Sequence, residues 1–324
     1  MITLYMHEPD GITAFEWDGT TPFPQGVVWI DCEAPTPAEK ETLQNVLGLE
    51  IPTHEDVVKN EMLSRMYRAE MAAYMTVAVI HKSTSPHPET RPIVMILTEQ
   101  VLLTLRVISP TSFLNFSQRI IGAQKDYSSG PEVLAGLLEE MVMRIGFNSE
   151  YVAKELDQIS HLVFASTEIR ADSSMASSLS DVLRRIGTAA DLNSKVNDSL
   201  HSFGRVLAFF HEEQADNHYL THKINILAND VQELLKQNAF QSDKATFQLD
   251  ATLGMINVEQ NLIMKILSVF TVVIMPPTLI GSIYGMNFQD MPELTHPWGY
   301  PMALLIMAIC AVAPYLYFRY RRWL

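Results

Sequence analysis

The residues of this chain best suited to chemistry lie near its end, in the segment YGMNFQDMPEL that runs from Tyr284 to Leu294. It holds Gly, Asn, Met and two acids, Asp290 and Glu293, and no Lys or Arg. Amide and carbonyl oxygens beside carboxylates suit a hard cation that gives up its water reluctantly. Counted back from there by alternating fours and threes stand Asp250, Gly254, Asn257, Asn261, Met264, Ser268, Thr271, Met275, Thr278, Ser282 and Gly285, with mostly Leu, Ile, Val and Phe between them. A stripe of small, polar and Met side chains at a 3.5-residue period, on a helix otherwise fit for lipid, is a seam that avoids lipid. Two readings of it stay open. It is a packing seam, since Gly, Ser and Thr let backbones approach closely, or the lining of a pore built from several copies, because two spans cannot enclose a channel alone. In the pore reading Asp250 forms a ring at the inner mouth, and Met264 and Met275 form apolar constrictions able to gate by dewetting.

The elements that must position these residues are two apolar runs. Ile266–Gln289 and Pro297–Phe318 contain no charged side chain, and each meets the roughly 20 residues a helix needs to cross a bilayer core. After the second run comes RYRRWL, with Arg319, Arg321 and Arg322 beside Tyr320 and Trp323. A basic cluster with interfacial aromatics predicts a cytoplasmic end, and the loop between the runs, acidic and without Lys or Arg, belongs on the far side. Two crossings return the N-terminal part to the cytoplasm. Pro276 and Pro277 sit inside the first run, where they remove backbone donors and predict a bend or a hinge.

The N-terminal region predicts an α/β layer over residues 1–128. GVVWIDCE, Gly26 to Glu33, reads as a buried strand, and TPAEKETLQNVLG opens a helix with Thr36 as N-cap, Pro37 at the first position and Glu39 closing a capping box. The run IVMILTEQVLLTLRVI breaks at Thr98-Glu99-Gln100, as a hairpin does. From Pro131 apolar residues recur at spacings of three and four, and similar patterns cover about Met175–Phe210 and Asn217–Gln237. Residues 129–260 are therefore expected to form a long-helix stalk. No Gly- or Pro-rich linker separates it from the first span, so the last stalk helix is expected to continue into the membrane. The remaining boundaries fall at 261–286 for the first span, 287–297 for the outer loop, 298–318 for the second span and 319–324 for the tail.

The 324 residues carry a net charge of -14, which disfavours nucleic acid and favours cations as partners. Cys32 and Cys310 are the two cysteines and set up neither a disulfide framework nor a metal spacing. MITLYMHEPDG at the start lacks a basic segment followed by an apolar one, so no export signal is expected. His218 and His222 stand four apart near His211, Glu212, Glu213 and Asp216; such a pair can bind zinc, but without an H-E-x-x-H pattern or a Cys a solvated helix joint is the plainer reading. No phosphate-binding loop, nucleophile elbow or dinucleotide fingerprint occurs, so the chain is not expected to be an enzyme or to hold a covalent cofactor.

YGMNFQDMPEL, preceded by MPPTLIGSI and followed by WGYPMALLIMAICAVAPYLYFRYRRWL, resembles the C-terminal signature of the CorA family of divalent-cation channels. The likeness is specific over Asp250–Leu324 and rests on the order of parts before that. It implies an α+β membrane protein of the bacterial inner membrane, a funnel-shaped homopentamer with both termini cytoplasmic and the first span lining the pore. Gly285, Met286 and Asn287 match the family's filter, where Asn287 holds the hydrated ion through its waters, and Asn261, Met264, Met275 and Thr278 match pore-facing positions. The resemblance also implies Mg2+ as substrate and as a regulatory ligand, with Co2+ or Ni2+ as further cargo. Asp250 is the one acid whose place on the seam suggests a metal contact. The family includes zinc transporters of the ZntB type with the same three filter residues, so proton-coupled zinc transport is the alternative, and a non-conducting metal sensor or scaffold is a third.

Overall fold

A computed structural model describes residues 1–52, 66–69, 71–83, 85, 88–121, 127–165, 175–286, 291–292 and 296–321. The chain divides into two compact units, Met1–Asp172 with Ser180–Leu249, and Ser173–Leu179 with Asp250–Leu324.

In the first unit β1 (Ile2–Glu8), β2 (Gly11–Trp17), β3 (Val27–Glu33), β4 (Tyr67–Ala69), β5 (Ala72–His81), β6 (Glu89–Leu97) and β7 (Leu102–Arg106) form one sheet in the order β2-β1-β3-β7-β6-β5-β4. All neighbours are antiparallel except β3 and β7, which run parallel with Asp31 opposite Thr104 and Glu33 opposite Arg106. These two strands are almost wholly buried, as a strand covered on both faces must be. One face packs Ile2, Leu4, Ile30, Ile96 and Leu103 with Leu43 of α1 (Pro37–Leu47). The capping box is formed: the Glu39 amide donates to Thr36 Oγ1 at 3.3 Å and the Thr36 amide donates to the Glu39 carboxylate at 2.7 Å. Gly48 ends α1 in the left-handed region at φ 65°, where a side chain would be strained. The hairpin turn falls at Thr98, whose hydroxyl donates to and whose oxygen accepts from the Val101 backbone.

The other face carries aromatic and polar groups under α2 (Thr111–Ile120) and α3 (Gly130–Ala165). Trp29 stacks on Tyr5 at 4.2 Å, and its indole N–H donates to Thr104 at 3.0 Å. Arg106 donates to Asp31 at 2.8 Å and to Glu33 at 2.9 Å, all but Glu33 nearly inaccessible to solvent. Burial raises the Glu33 carboxyl, but the Ser109 hydroxyl and the Arg106 guanidinium outweigh it and hold it below the usual carboxylate range. The edge of β5 beyond β4 is closed by α4 (Met175–Glu213): Ser199 donates to the Ala78 carbonyl at 2.6 Å and the Ala78 amide donates to Ser202 at 2.8 Å. Opposite Ala78 on β6 sits Pro92. Both exchangeable groups of Ala78 point to the open edge, so the missing proline N–H leaves no gap in the ladder there.

α3, α4 and α5 (His218–Tyr284) pack through Val152, Leu156, Val196, Leu200, Ile224 and Val231, all buried. Toward the end of this bundle the seam of α5 turns from aliphatic to amide. Asn238 pairs with Asn193, the Gln241 amide donates to the Ser149 carbonyl at 3.0 Å, and the Gln248 amide donates to the Leu156 carbonyl at 2.6 Å and to Ser160 at 2.8 Å. Buried amides with made hydrogen bonds fix one register, because a slipped helix leaves them unpaired.

In the second unit α5 continues to Tyr284, unbroken over 67 residues in all, and α6 spans Gly299–Tyr320. The stalk and the first span are thus one helix, as expected from the absence of a linker.

Candidate functional site

The eleven stripe residues from Asp250 to Gly285 are all exposed on the single chain. Exposure alone does not single them out, since only 6% of the most apolar 18-residue window in α5 is buried. Their placement against the buried residues does. Gln248 and Thr252 are fully buried, and each lies two residues from Asp250, about 200° around the helix. The stripe therefore begins on the face of α5 opposite the bundle seam. Further along, Val269 is the buried hydrophobic of the span; it lies about 100° around from Ser268, again off the stripe. Among the described residues, no contact covers the stripe.

The hydroxyls of the stripe are turned onto their own helix. Ser268 donates to the Met264 carbonyl at 2.7 Å, Thr271 to Leu267 at 2.9 Å and Thr278 to Ile274 at 2.8 Å. A hydroxyl has one proton, so each of these oxygens offers only lone pairs outward. With the amide oxygens of Asn257 and Asn261 the face becomes rich in acceptors, which can bind the waters of a hydrated cation. Met264 and Met275 interrupt it as exposed thioether side chains. Asp250 makes no ion pair among the described residues, and its carboxylate stays available to a cation.

Pro276 and Pro277 lie within α5 without ending it. They cannot donate to the carbonyls of Val272 and Val273, four residues back. The Thr278 hydroxyl bonds Ile274 instead, so among the described residues no side chain compensates for the prolines, and this turn carries fewer backbone bonds than its neighbours. The helix closes at Gly285, whose amide donates to Gly281 at 3.0 Å while Met286 donates to Ile283 at 3.2 Å. A Cβ on Gly285 would stand 3.2 Å from the Gly281 carbonyl oxygen, tighter than side chains ordinarily accept, which gives a packing reason for glycine at this position. Asn287, Asp290 and Glu293 fall outside the described residues.

The histidine joint separates α4 from α5. Glu213 pairs with Arg68 at 3.1 Å, and among the described residues no three His, Cys, Asp or Glu side chains converge on a metal position. Sequence reasoning did not find the buried amides Asn193, Asn238, Gln241 and Gln248. For the three on α5 the signal is polar residues continuing the heptad spacing of Ile224 and Val231, which becomes informative only once the opposite face is known to be exposed.

An α/β layer, a helix bundle and a last bundle helix that becomes the first of two long apolar helices define a membrane protein with a large soluble region and two C-terminal spans. The family model for CorA-like Mg2+ transporter proteins matches residues 24–322, and the chain belongs to that family. It is 27% identical over 324 residues to the magnesium transport protein CorA of Escherichia coli, covering 100% of both chains. The complete structure of the CorA magnesium transporter from Methanocaldococcus jannaschii superposes with a TM-score of 0.78 at 19% identity, covering 100% of this chain and 99% of that one. The cytoplasmic domain of ZntB from Vibrio parahaemolyticus shares the fold less closely, with a TM-score of 0.57 at 12% identity over 79% of this chain and 98% of that one.

Proposed function

We propose that this protein conducts Mg2+ into the cytoplasm as a homopentameric channel, with Co2+ and Ni2+ as further cargo and both termini on the cytoplasmic side of a bacterial inner membrane. The observation that carries the proposal is the acceptor-rich stripe on α5, which starts opposite the bundle seam, is left uncovered among the described residues and runs to Gly285. Copies of this face around an axis make a water-filled path. Gly285, Met286 and Asn287 are its filter, with Asn287 holding the ion through its waters, because oxygen acceptors without net charge bind a hydrated divalent ion and still release it. Asp290 and Glu293 raise the local cation concentration outside. The Met264 and Met275 rings are the apolar gates. Mg2+ bound in the cytoplasm, with Asp250 as one contact, is the regulatory ligand. A membrane potential contributes about 2.3 kcal/mol per charge per 100 mV, and double that for a divalent ion, so inward flow needs no further energy source.

The test is Mg2+ uptake into proteoliposomes with an imposed potential. The expected result is saturable Mg2+ flux that Asn287→Ala abolishes or renders unselective. Zinc flux that rises with a proton gradient while Mg2+ does not move, or metal binding by an oligomer without any flux, would replace the proposal.

A further inference from the structure

A cavity of 240 Å³ lies where the end of β5, the N-terminus of α2 and the bodies of α3 and α4 meet. Its wall is unusual for a chain with net charge -14. His81, Lys82 and Arg144 line it, and none of the described residues lining it is Asp or Glu. Thr111 and Ser112 open α2 there, and the N-cap, Pro110, supplies no side-chain bond. The amide of Phe113 turns back onto Pro110 at 3.0 Å, whereas the amides of Thr111 and Ser112 have no acceptor among the described residues. Free amides at the start of a helix, with the positive end of its dipole, attract an anion.

Two further side chains point to the same ligand independently of the helix. Asn148 of α3 lines the cavity, is only 5% exposed and has no hydrogen-bond partner among the described residues. Its amide is not sealed within the packing but opens onto the cavity, so an occupant of the cavity can bond to it. Arg144, one turn before it, makes neither an ion pair nor a hydrogen bond among the described residues. Most arginines of the same unit are paired: Arg68 with Glu213, Arg106 with Asp31, Arg119 with Glu140 and Arg185 with Glu155. Two acids that interact with lining residues are already engaged. Glu33 accepts from Ser109 and Arg106, and Glu89, whose carboxylate is influenced by Lys82 and His81, accepts from Arg91 at 2.7 Å.

We propose that this cavity is a phosphate-binding site, taking inorganic phosphate or the phosphate of a small phosphorylated metabolite. Arg144 supplies a planar fork of donors, Lys82 a point charge, Asn148 a neutral donor, and Thr111 and Ser112 their amides and hydroxyls. That set surrounds a tetrahedral dianion from several sides. The pocket has room for a phosphate group and is open on one side, so whatever the phosphate is attached to extends into solvent. The donors come from the turn that follows β5, from α2 and from α3, with Phe203 of α4 closing the wall. A bound phosphate therefore ties the sheet to the helix bundle. The site stands on unit-one residues alone and does not depend on which ion the membrane spans conduct.

The test uses full-length protein in detergent, free of divalent metal and at constant chloride, titrated with inorganic phosphate, AMP and ATP by calorimetry. One saturable phosphate site per chain is expected, weakened at least about tenfold by Arg144→Gln and by Lys82→Gln, the size of one charge-assisted hydrogen bond. Lys223→Gln, which breaks a surface pair with Glu139, should leave it unchanged. Tighter binding of inorganic phosphate than of the nucleotides identifies the free ion as ligand, and the reverse order identifies a phosphate ester. Because Arg144 has no partner to lose, Arg144→Gln should melt at the parent temperature without phosphate and lose only the rise in melting temperature that phosphate causes. No saturable binding at millimolar phosphate, or full binding by the Arg144→Gln, Lys82→Gln double variant, would overturn the assignment.

Discussion

Arg106 is the residue on which most of the polar interior of the sheet depends. Its guanidinium faces Asp31 and Glu33 on β3 across the parallel β3–β7 pair, and Asp31 also accepts from Thr104 at 2.8 Å. Arg106→Met removes the cation and leaves Asp31 buried with its charge, a loss expected to cost about 3–5 kcal/mol. Urea unfolding followed by the fluorescence of Trp29, which bonds the same Thr104, measures it. A loss below about 1 kcal/mol, the scale of a solvent-exposed pair, would show that water reaches the cluster. The pH response follows from neighbouring carboxyls. Glu33 is held low as described, and the Thr36 amide at the α1 cap, against a small opposing effect of burial, holds Glu39 low as well. A depressed carboxyl stabilises the fold at pH values above its unfolded pKa of about 4.3, and that contribution disappears as pH falls through the lower folded value. The melting temperature should therefore be flat from pH 7 to 5 and fall below about pH 4. Glu33→Gln should melt lower at pH 7 and show a shallower fall in acid; an unchanged acid slope would remove Glu33 from the account.

The elements differ in how far they could be read in advance. The Thr36 capping box, the break at Thr98 and the long helices were legible because each is a local pattern: a cap and its third residue, a polar gap between apolar runs, a period of three and four. The parallel pairing of β3 with β7 was not, since pairing over some seventy residues is decided by which faces become buried. The same holds for the phosphate cavity, whose donors come from separate elements with no common motif. That Asp250 to Ser282 share one exposed face was legible because one helix with one period carries them. How α3 meets the sheet was also illegible. Gly130 begins α3 with its amide donating to the Gln100 carbonyl at 2.7 Å, and a Cβ there would stand 2.5 Å from the Val101 carbonyl carbon and 2.8 Å from the Leu102 nitrogen. These are backbone atoms of the β6–β7 turn and cannot swing aside, so Gly130→Ala must push α3 from the sheet edge. The expected loss is about 1–3 kcal/mol, the range for overpacking a tight site. Gly187→Ala in α4, where no atom lies within 4 Å of the added carbon, should be neutral or stabilising by up to about 1 kcal/mol. The two variants compared by thermal melting separate close approach from helix propensity, and equal melting temperatures would contradict the packing argument.

At the scale of the whole molecule, α5 carries two stripes of the same 3.5-residue period on opposite faces. One is buried by α3 and α4 and ends in amides that fix its register; the other runs from Asp250 to Gly285 and has no cover among the described residues. Acceptors facing hydrocarbon without water or a partner are costly, and the proposed assembly of several copies around the second seam hydrates it. This makes a positional prediction that does not depend on measuring transport. Single cysteines placed along α5, in a background where Cys32 and Cys310 are serine, are oxidised in native membranes and the products separated by size. Cysteines at Met264, Ser268, Thr271 and Met275 should form subunit-to-subunit disulfides readily, and those at Leu267, Phe270 and Ile274 should form them weakly, so that yield rises and falls with a period near 3.5 residues. Addition of Mg2+ from the cytoplasmic side should change the yields at Met264 and Met275 most, because those side chains form the proposed constrictions. A flat profile along the span would mean that the stripe does not face an axis, and yields that peak at Val269 and its helical neighbours would place the subunit contact on the opposite face.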